Sequence, residues 1–294
     1  MRIVLTISLL SVLLTGSVVA GESVDQTRSV DANAQIGIEN ISGSVVVKGW
    51  DQAQVKITGT LGDDVKELKI TGDASRLRIE VEVSEGYGRR RRDIDSDLNV
   101  WVPRGSRLSV ETVSADIEIS EISGTASVES VSGEVSLTGK PEQVDIETVS
   151  GNIEVSGFQT EVSVESVSGS VHLSGIARSV EVETVSGDIE VEAGEISSAE
   201  FESVSGSVTF SGALTAQADL DVESHSGNVE LSLGNVTAVS FEISTFSGRI
   251  TNDFGGEVQT TSRYAPGRHL EFSIGSGGAE ISVETFSGNV RLHK

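Results

Sequence analysis

The 294 residues carry a formal charge of −24 and include no cysteine. Without cysteine the chain can form neither a disulfide nor a lipoprotein-type anchor, so its fold must be held together by burial. A surface this acidic repels nucleic acids and anionic lipid headgroups, and we therefore exclude both as partners.

Residues 1–20 have the features of a secretory signal peptide. A single arginine precedes a short apolar run, and Val18 and Ala20 occupy the −3 and −1 positions of a cut before Gly21. The run is too short to span a membrane, and no charged stop-transfer flank follows it. We expect an exported protein that is periplasmic, at the cell surface or extracellular, with no transmembrane span after cleavage. An uncleaved N-terminal anchor is the alternative.

Residues 21–104 alternate apolar and polar side chains in several segments, as strands do. Ser42 and Gly43 match the corner motif described below, and Gly43 stands 72 residues, or four repeat lengths, before Ala115. We expect either a small N-terminal β cap or the opening coils of a repeat array. The run Arg89–Arg92 is compatible with a loop neutralised by the aspartates that follow, with a processing site, or with a contact for an anionic envelope component.

Residues 105–294 repeat the motif V-S-G at nearly constant spacing. Successive corner glycines are 18 to 21 residues apart, and each follows a serine. A period of this length is typical of a solenoid, in which each unit stacks on the one before it. The corner glycines are Gly133, Gly151, Gly169, Gly187, Gly206, Gly227 and Gly248.

Within each unit the hydrophobic pattern has a period of two. In the first run of a unit, Val180, Val182 and Thr184 share a face. In the second run, Ile189 and Val191 share a face, and the parity shifts by one residue between the two runs. Each unit is therefore predicted to contain a strand, a turn, a second strand and a corner. Because identical residues recur at the repeat length, like should stack on like. The sequence predicts an all-β fold, a single-stranded parallel β-solenoid (β-helix) with about 18–21 residues per coil and right-handed coiling.

The repeat changes near the end of the chain. Gly248 and Gly288 are 40 residues apart, and residues 249–288 are expected to form an enlarged coil with a loop or hairpin. One more unit follows, which ends in Arg291, His293 and Lys294. These charges suit an exposed final edge, where they would discourage further strand pairing.

The order of these motifs resembles the DUF4097 family of adhesin-like β-strand repeat proteins. The segments "IENISGSVVVKGW" and "LNVWVPRGSRLSVETVSADIEIS" and the tandem "ETVSGDIEV" units carry the resemblance, which spans nearly all of the chain after residue 20. The resemblance implies a secreted or cell-envelope β-solenoid. It implies no activity and no site residues, because the shared motif is a folding motif.

A glutamate that precedes the hydroxyl residue of each unit is the strongest candidate for a functional feature. By strand parity these side chains point outward, about 4.8 Å apart along the stack. One hypothesis is a groove for divalent cations such as calcium, or for a cationic partner, because hard cations prefer carboxylate oxygens. The other is a solvated face that opposes aggregation. The glutamates are Glu111, Glu129, Glu147, Glu165, Glu183, Glu202 and Glu223, and Ser244 breaks the series.

Two classes of function are compatible with the sequence. One is a non-enzymatic, adhesin-like scaffold that binds an envelope or extracellular protein or glycan. The other is a carbohydrate-active enzyme, a polysaccharide lyase or hydrolase of the parallel β-helix kind, which needs a cation or base beside a unique acidic cluster. Because the repeats offer scattered cations and uniformly repeated acids, we expect no catalytic residue and no cofactor. A pocket of unique acids beside Arg263, Arg268 or His269 would favour the enzyme, whereas ladders alone would favour the scaffold.

Overall fold

The computed structural model describes residues 22–83, 93–157, 161–234, 236–262, 265–276 and 278–294. The regular secondary structure in these ranges consists of β-strands alone, and the strands build an all-β, solenoid-like sheet. The described residues contain no helix long and apolar enough to cross a membrane. The predicted signal peptide and the Arg89–Arg92 run lie outside the described residues.

The strands are numbered along the chain. The N-terminal part contains Glu22–Ser29 (β1), Gln35–Trp50 (β2), Gln54–Leu61 (β3), Val65–Gly72 (β4), Arg76–Val83 (β5) and Ser96–Pro103 (β6). The repeats contain Arg107–Ile122 (β7), Thr125–Ser132 (β8), Val135–Gly139 (β9), Gln143–Ser150 (β10), Ile153–Gly157 (β11), Glu161–Ser168 (β12), Val171–Ile176 (β13), Ser179–Ser186 (β14), Ile189–Ser205 (β15), Val208–Ser226 (β16) and Val229–Gly234 (β17). The C-terminal part contains Val239–Ser247 (β18), Ile250–Asn252 (β19), Gln259–Ser262 (β20), Ala265–Ile274 (β21), Ala279–Ser287 (β22) and Val290–His293 (β23).

The repeats pair in parallel, each strand with its equivalents one unit earlier and one unit later. Val164 of β12 lies between Ile146 of β10 and Val182 of β14. The strands after the corner behave alike, with Val155 of β11 between the leucines at 137 and 173. Within the described residues, all the pairings of β7 to β17 are parallel. Like residues therefore stack on like, as the period predicted.

Two features require glycine at the corners: the backbone of the corner glycines from Gly133 to Gly206 is left-handed, with φ between 127° and 157°, and neighbouring corners approach each other closely. A Cβ atom on Gly227 would lie 1.9 Å from the carbonyl oxygen of Gly206, and one on Gly288 would lie 1.7 Å from that of Gly227. Neither Gly227 nor Gly288 has a left-handed backbone, so conformational freedom does not explain them. Ala115 fits at the first corner because β7 continues through it without a left-handed residue there.

Side-chain hydrogen bonds join neighbouring corners. The carboxylate of Asp116 accepts a hydrogen bond from the backbone N–H of Glu134 at 2.9 Å, and that of Asp188 accepts one from Ser207 at 2.8 Å. Asn152 makes the equivalent bond with its amide oxygen. The acidic or amide residue that follows many V-S-G motifs therefore bonds to the next coil.

The N-terminal region caps the stack with mixed pairing. β2 pairs in parallel with β7, so that Gly43 faces Ala115 and Glu39 faces Glu111. The four repeat lengths between Gly43 and Ala115 are therefore not four stacked coils, because the chain leaves the stack to form β3 to β6. Of these strands, β5 and β6 pair in parallel with β2, while β3 and β4 pair antiparallel with β6 and β5.

The C-terminal unit is not the exposed edge that its charges suggested, and that prediction was wrong. β22 lies between β16 and β18, and β23 lies between β17 and β19, all in parallel. Arg291 consequently faces Glu230, with 3.7 Å between its Nη1 atom and the carboxylate. The unit formed by β18 and β19 skips one position in the stack, and the last two strands fill it. Beyond β18, the sheet continues with β21 and β20 in antiparallel pairing.

The interior is filled by the alternating aliphatic side chains. Val164, Leu173 and Val182 are at most 1% exposed. Where the units lengthen, Phe201 and Phe210 take part in the core, with their ring centroids 5.9 Å apart. The core is thus a continuous column to which each coil contributes a layer.

Replacing Val164 with aspartate should destabilise the protein by at least about 3 kcal/mol, because a charge without a partner would be buried in the core. Glu165→Lys is the matched control, since its side chain points to solvent and a cation there relieves repulsion. We expect this control to be neutral or mildly stabilising. Thermal melting monitored by circular dichroism checks both variants, and equal shifts would contradict the strand phase.

Candidate functional site: an acidic and apolar groove

The predicted glutamates form one continuous column on the outside of the stack. Each faces its equivalent on the adjacent coil through the parallel register. The structure adds three members that the repeat pattern missed, because they come from units that are distant in sequence. We call this set the glutamate column; in spatial order it is Glu80, Glu39, Glu111, Glu129, Glu147, Glu165, Glu183, Glu202, Glu223 and Glu284. Ser244 follows Glu284 and ends it.

Within the described residues, the column has cation partners at its N-terminal end only. The Nη2 atom of Arg78 donates to the Glu39 carboxylate at 2.6 Å, and Lys69 lies 3.8 Å from Glu80. From Glu111 to Glu223, no described lysine or arginine lies within ion-pair distance of a column carboxylate. A row of seven like charges therefore stands without internal partners.

Negative charge is densest near the middle of the column. Burial, together with the charges of Glu202 and Glu165 on the adjacent coils, raises the pKa of Glu183. Burial and the charges of Glu181 and Glu202 likewise raise the pKa of Glu200, which lies on the same face. Both shifts mean that the folded protein holds these protons more tightly than the unfolded chain does.

A second column, of apolar side chains, runs beside the first. Two residues after each glutamate the chain presents a valine on the same face of the strand, and about half of its surface is exposed. Near the C-terminal end His225, Phe286 and Phe246 replace the valines, and their rings stack at centroid distances of 5.0 and 4.9 Å. We call this set the apolar column; it comprises Ile41, Val113, Val131, Val149, Val167, Val185, Val204, His225, Phe286 and Phe246.

Between the two columns each strand carries a buried hydroxyl or amide. The Thr112 and Ser130 oxygens are 3.0 Å apart, and Thr148 donates to the Ser150 carbonyl oxygen at 3.3 Å across the corner. Asn40 occupies the same position in β2 and donates to the carbonyl oxygen of Ser96 at 3.0 Å. Other hydroxyls at this position are buried without a described hydrogen-bond partner, so the layer does not bond uniformly along the stack; they are those of Ser166, Thr184, Ser203, Ser224 and Thr285.

Together the two columns line a groove of about 1230 Å³ along the stack. Its described lining contains glutamate, histidine, hydroxyl, amide and apolar side chains, and no lysine, arginine, aspartate or tyrosine. Its acids are repeated copies rather than a unique cluster. Within the described residues, no group of three or more acidic, histidine or cysteine side chains is arranged to hold a metal ion. This arrangement offers a long surface for contact and no localised acid–base pair.

Two of the three residues that would have indicated an enzyme, Arg268 and His269, lie outside the groove lining. Arg268 and His269 belong to β21 and face Thr245 and Ser244 on the last coil. The Nε2 atom of His269 lies 3.6 Å from the carboxylate of Glu271, outside the groove lining. Arg263 lies outside the described residues.

Comparison with known proteins identifies the family. The model of the Toastrack DUF4097 family matches residues 33–293, which is nearly the whole chain. The chain belongs to this family. No curated protein matches it.

The chain is also similar to several solved structures. A "putative adhesin" from Parabacteroides distasonis is 13% identical, with 92% of this chain and 97% of that chain covered and a TM-score of 0.49. A "putative lipid binding protein" from the same species is 16% identical, with 93% and 98% covered and a TM-score of 0.47. A "putative adhesin" from Bacteroides fragilis is 12% identical, with 92% and 97% covered and a TM-score of 0.42. At these identities the likeness concerns the fold alone.

Sodium chloride should raise the melting temperature over the low-salt range. Folding fixes the repelling carboxylates at one-coil spacing, and salt screens exposed charges over about 10 Å at 0.1 M. At equal ionic strength, calcium should add little to the effect of sodium, because the described residues form no closed cage of ligands around the glutamate column.

The calcium hypothesis has its own outcome in the same experiment. A shift specific to millimolar calcium, lost in the triple variant Glu147→Gln, Glu165→Gln, Glu183→Gln, would make the glutamate column a divalent-cation site.

Lowering the pH from about 7 to about 5 should also raise the melting temperature. Because the pKa values of Glu183 and Glu200 are raised by folding, the stability that their protonation confers is lost as the pH rises through those values. The sign reverses in acid. Hydrogen bonds from Lys66 and Lys69 lower the pKa of Glu82 to about 2, so its contribution disappears as the pH falls toward that value.

Melting curves at about pH 7, 5 and 3 should therefore give the highest temperature near pH 5. The double variant Glu183→Gln, Glu200→Gln should reduce the rise between pH 7 and 5, whereas Glu82→Gln should leave that rise unchanged. An undiminished rise in the double variant would contradict the assignment.

Proposed function

We propose that this Toastrack protein is a non-enzymatic, adhesin-like interaction scaffold that binds an elongated partner along its groove. The observation that supports this most directly is the continuous pair of columns, one charged and one apolar, which remain exposed over about ten coils. Contiguous exposed apolar surface rimmed by polar groups is typical of interaction sites.

The repetition itself favours binding over catalysis. Catalysis needs a few groups that differ from their surroundings in position and protonation. Here each coil presents the same glutamate and the same valine, so a partner meets an equivalent surface at every step. Such a surface suits many weak contacts in series.

An external location is part of the proposal. The secretory signal predicted at residues 1–20 supports export to the periplasm, the cell surface or the medium. The partner is an envelope or extracellular molecule, and the parallel stack is proposed to coil in the right-handed sense.

The absence of cysteine permits a direct test of the groove. Val167→Cys places a unique thiol on the apolar column, where a polyethylene glycol maleimide would fill the groove. Glu154→Cys is the matched control, because it lies exposed on β11 outside the groove lining. Beads coated with each protein are then allowed to bind intact cells of the producing organism.

We expect the unmodified protein and the Glu154 conjugate to retain the beads on cells equally. The Val167 conjugate should reduce retention about tenfold, since the partner would lose access to the middle of the groove. Equal retention by the two conjugates, or no retention by any form, would refute the proposed function.

A further inference from the structure

We propose that the occupant of the groove is an extended cationic polypeptide segment whose basic and apolar side chains alternate. This inference rests on the proposed function, and it assigns the chemical class of the partner. Two features of the groove carry it: the arrangement of its two columns and its charge.

The length of the groove matches an extended chain. The ten positions of the apolar column span about 40 Å at the spacing of parallel strands. An extended polypeptide advances about 3.4 Å per residue, so about 12 residues cover this length. A single extended chain lying along the stack can therefore contact every coil.

The two columns select for alternating side chains. Successive side chains of an extended polypeptide point to opposite sides. A chain lying between the columns therefore directs every second residue toward Glu147, Glu165 and their equivalents. The residues between them point toward Val149, Val167 and their equivalents. Basic residues on one side and aliphatic residues on the other satisfy both columns.

The negative charge of the groove further restricts the chemical class of the partner. The carboxylates from Glu111 to Glu223 have no described cation within ion-pair distance, so the partner must supply the positive charge. Anionic glycans and anionic lipids would be repelled. A neutral glycan would leave the charge of the glutamate column unpaired. A polypeptide can bring ammonium or guanidinium groups together with apolar side chains.

The spacing of the columns makes this recognition tolerant of sequence. Basic side chains on an extended chain recur about every 6.8 Å, while carboxylates recur about every 4.8 Å along the stack. Any basic group therefore lies within about 2.4 Å of a carboxylate, measured along the axis. The partner can slide without losing its ion pairs, and no single residue of it is required.

The C-terminal end of the groove differs and gives the partner a direction. There the apolar column consists of Phe286 and Phe246 beside His225, and Ser244 ends the glutamate column. An aromatic or long aliphatic residue at one end of the bound segment could pack against these exposed rings. A large residue at that end of the bound segment, with basic residues along the rest of it, would fix the direction in which the segment lies in the groove.

Isothermal titration calorimetry with synthetic peptides tests the inference on the full mature chain. The probe is a blocked 12-residue peptide of alternating lysine and valine. One control peptide alternates lysine and serine, which keeps the charge and removes the apolar side. A second control places six lysines before six valines, which keeps the composition and removes the alternation. We expect the probe to bind about tenfold more tightly than either control at about 0.15 M salt.

Variants of the protein separate the two columns. Val149→Thr, Val167→Thr, Val185→Thr keeps the side-chain shape but makes it polar, and it should weaken the probe about fivefold. Glu147→Gln, Glu165→Gln, Glu183→Gln should weaken it about tenfold. The matched control Glu118→Gln, Glu154→Gln, Glu190→Gln removes the same charge from the exposed face after the corner, and it should change affinity less than twofold.

The outcomes distinguish the partner class from the proposed function. If the lysine–serine peptide or spermine binds as tightly as the probe, the groove is only a polyanion and the inference fails. It also fails if the valine variant binds the probe unchanged. If cell binding depends on Val167 but the probe does not bind, the partner class is wrong and the scaffold function stands. If the probe binds the groove but cell binding ignores it, the scaffold function is wrong.

Discussion

The contact between stacked corner glycines is the constraint on which the rest of the structure depends. Each corner carbonyl oxygen occupies the place where a Cβ atom of the next corner would stand, at about 2 Å for Gly151, Gly169 and Gly187. At these three corners a side chain would clash with the neighbouring backbone, so glycine fixes the register in which each coil stacks on the one before it. That register places every residue above its equivalent, and the core, the corner hydrogen bonds and both columns follow from it.

The same register that builds the core creates the electrostatic cost on the surface. Stacking valine on valine inside the coil is favourable in every layer, but stacking glutamate on glutamate outside it is not. The repulsion is moderated because the carboxylates are exposed and screened, and it is strongest where burial adds to it, at Glu183 and Glu200. A partner with positive charge would relieve this repulsion from Glu111 to Glu223, where no described lysine or arginine lies within ion-pair distance of the glutamate column.

The repeat pattern of the sequence predicted the strands, but it did not predict the order in which distant strands pair. The period and the parity identified the strands, the inward face and seven members of the glutamate column. They could not show that Glu39 and Glu284 belong to the same column, because those residues reach it through pairings between units distant in the chain. The exposed valines were within reach of the sequence, since each lies two residues after a glutamate and shares its face. Because these valines belong to the V-S-G motif, their presence was explained by the corner, and their part in an exposed apolar column was not predicted.

The two ends of the stack give the groove a finite length. At the N-terminus β3 and β4 pair antiparallel, and at the C-terminus β21 does so against β18, so the parallel register does not continue past either end. Inserting the last unit between β16 and β18 adds one coil inside these boundaries rather than beyond them, and it carries Glu284 and Phe286 into the columns. Because each coil adds about 4.8 Å, the number of coils measures the length of partner that the groove can hold. A scaffold of this design can change its reach by gaining or losing one repeat, without any change in the chemistry of its surface.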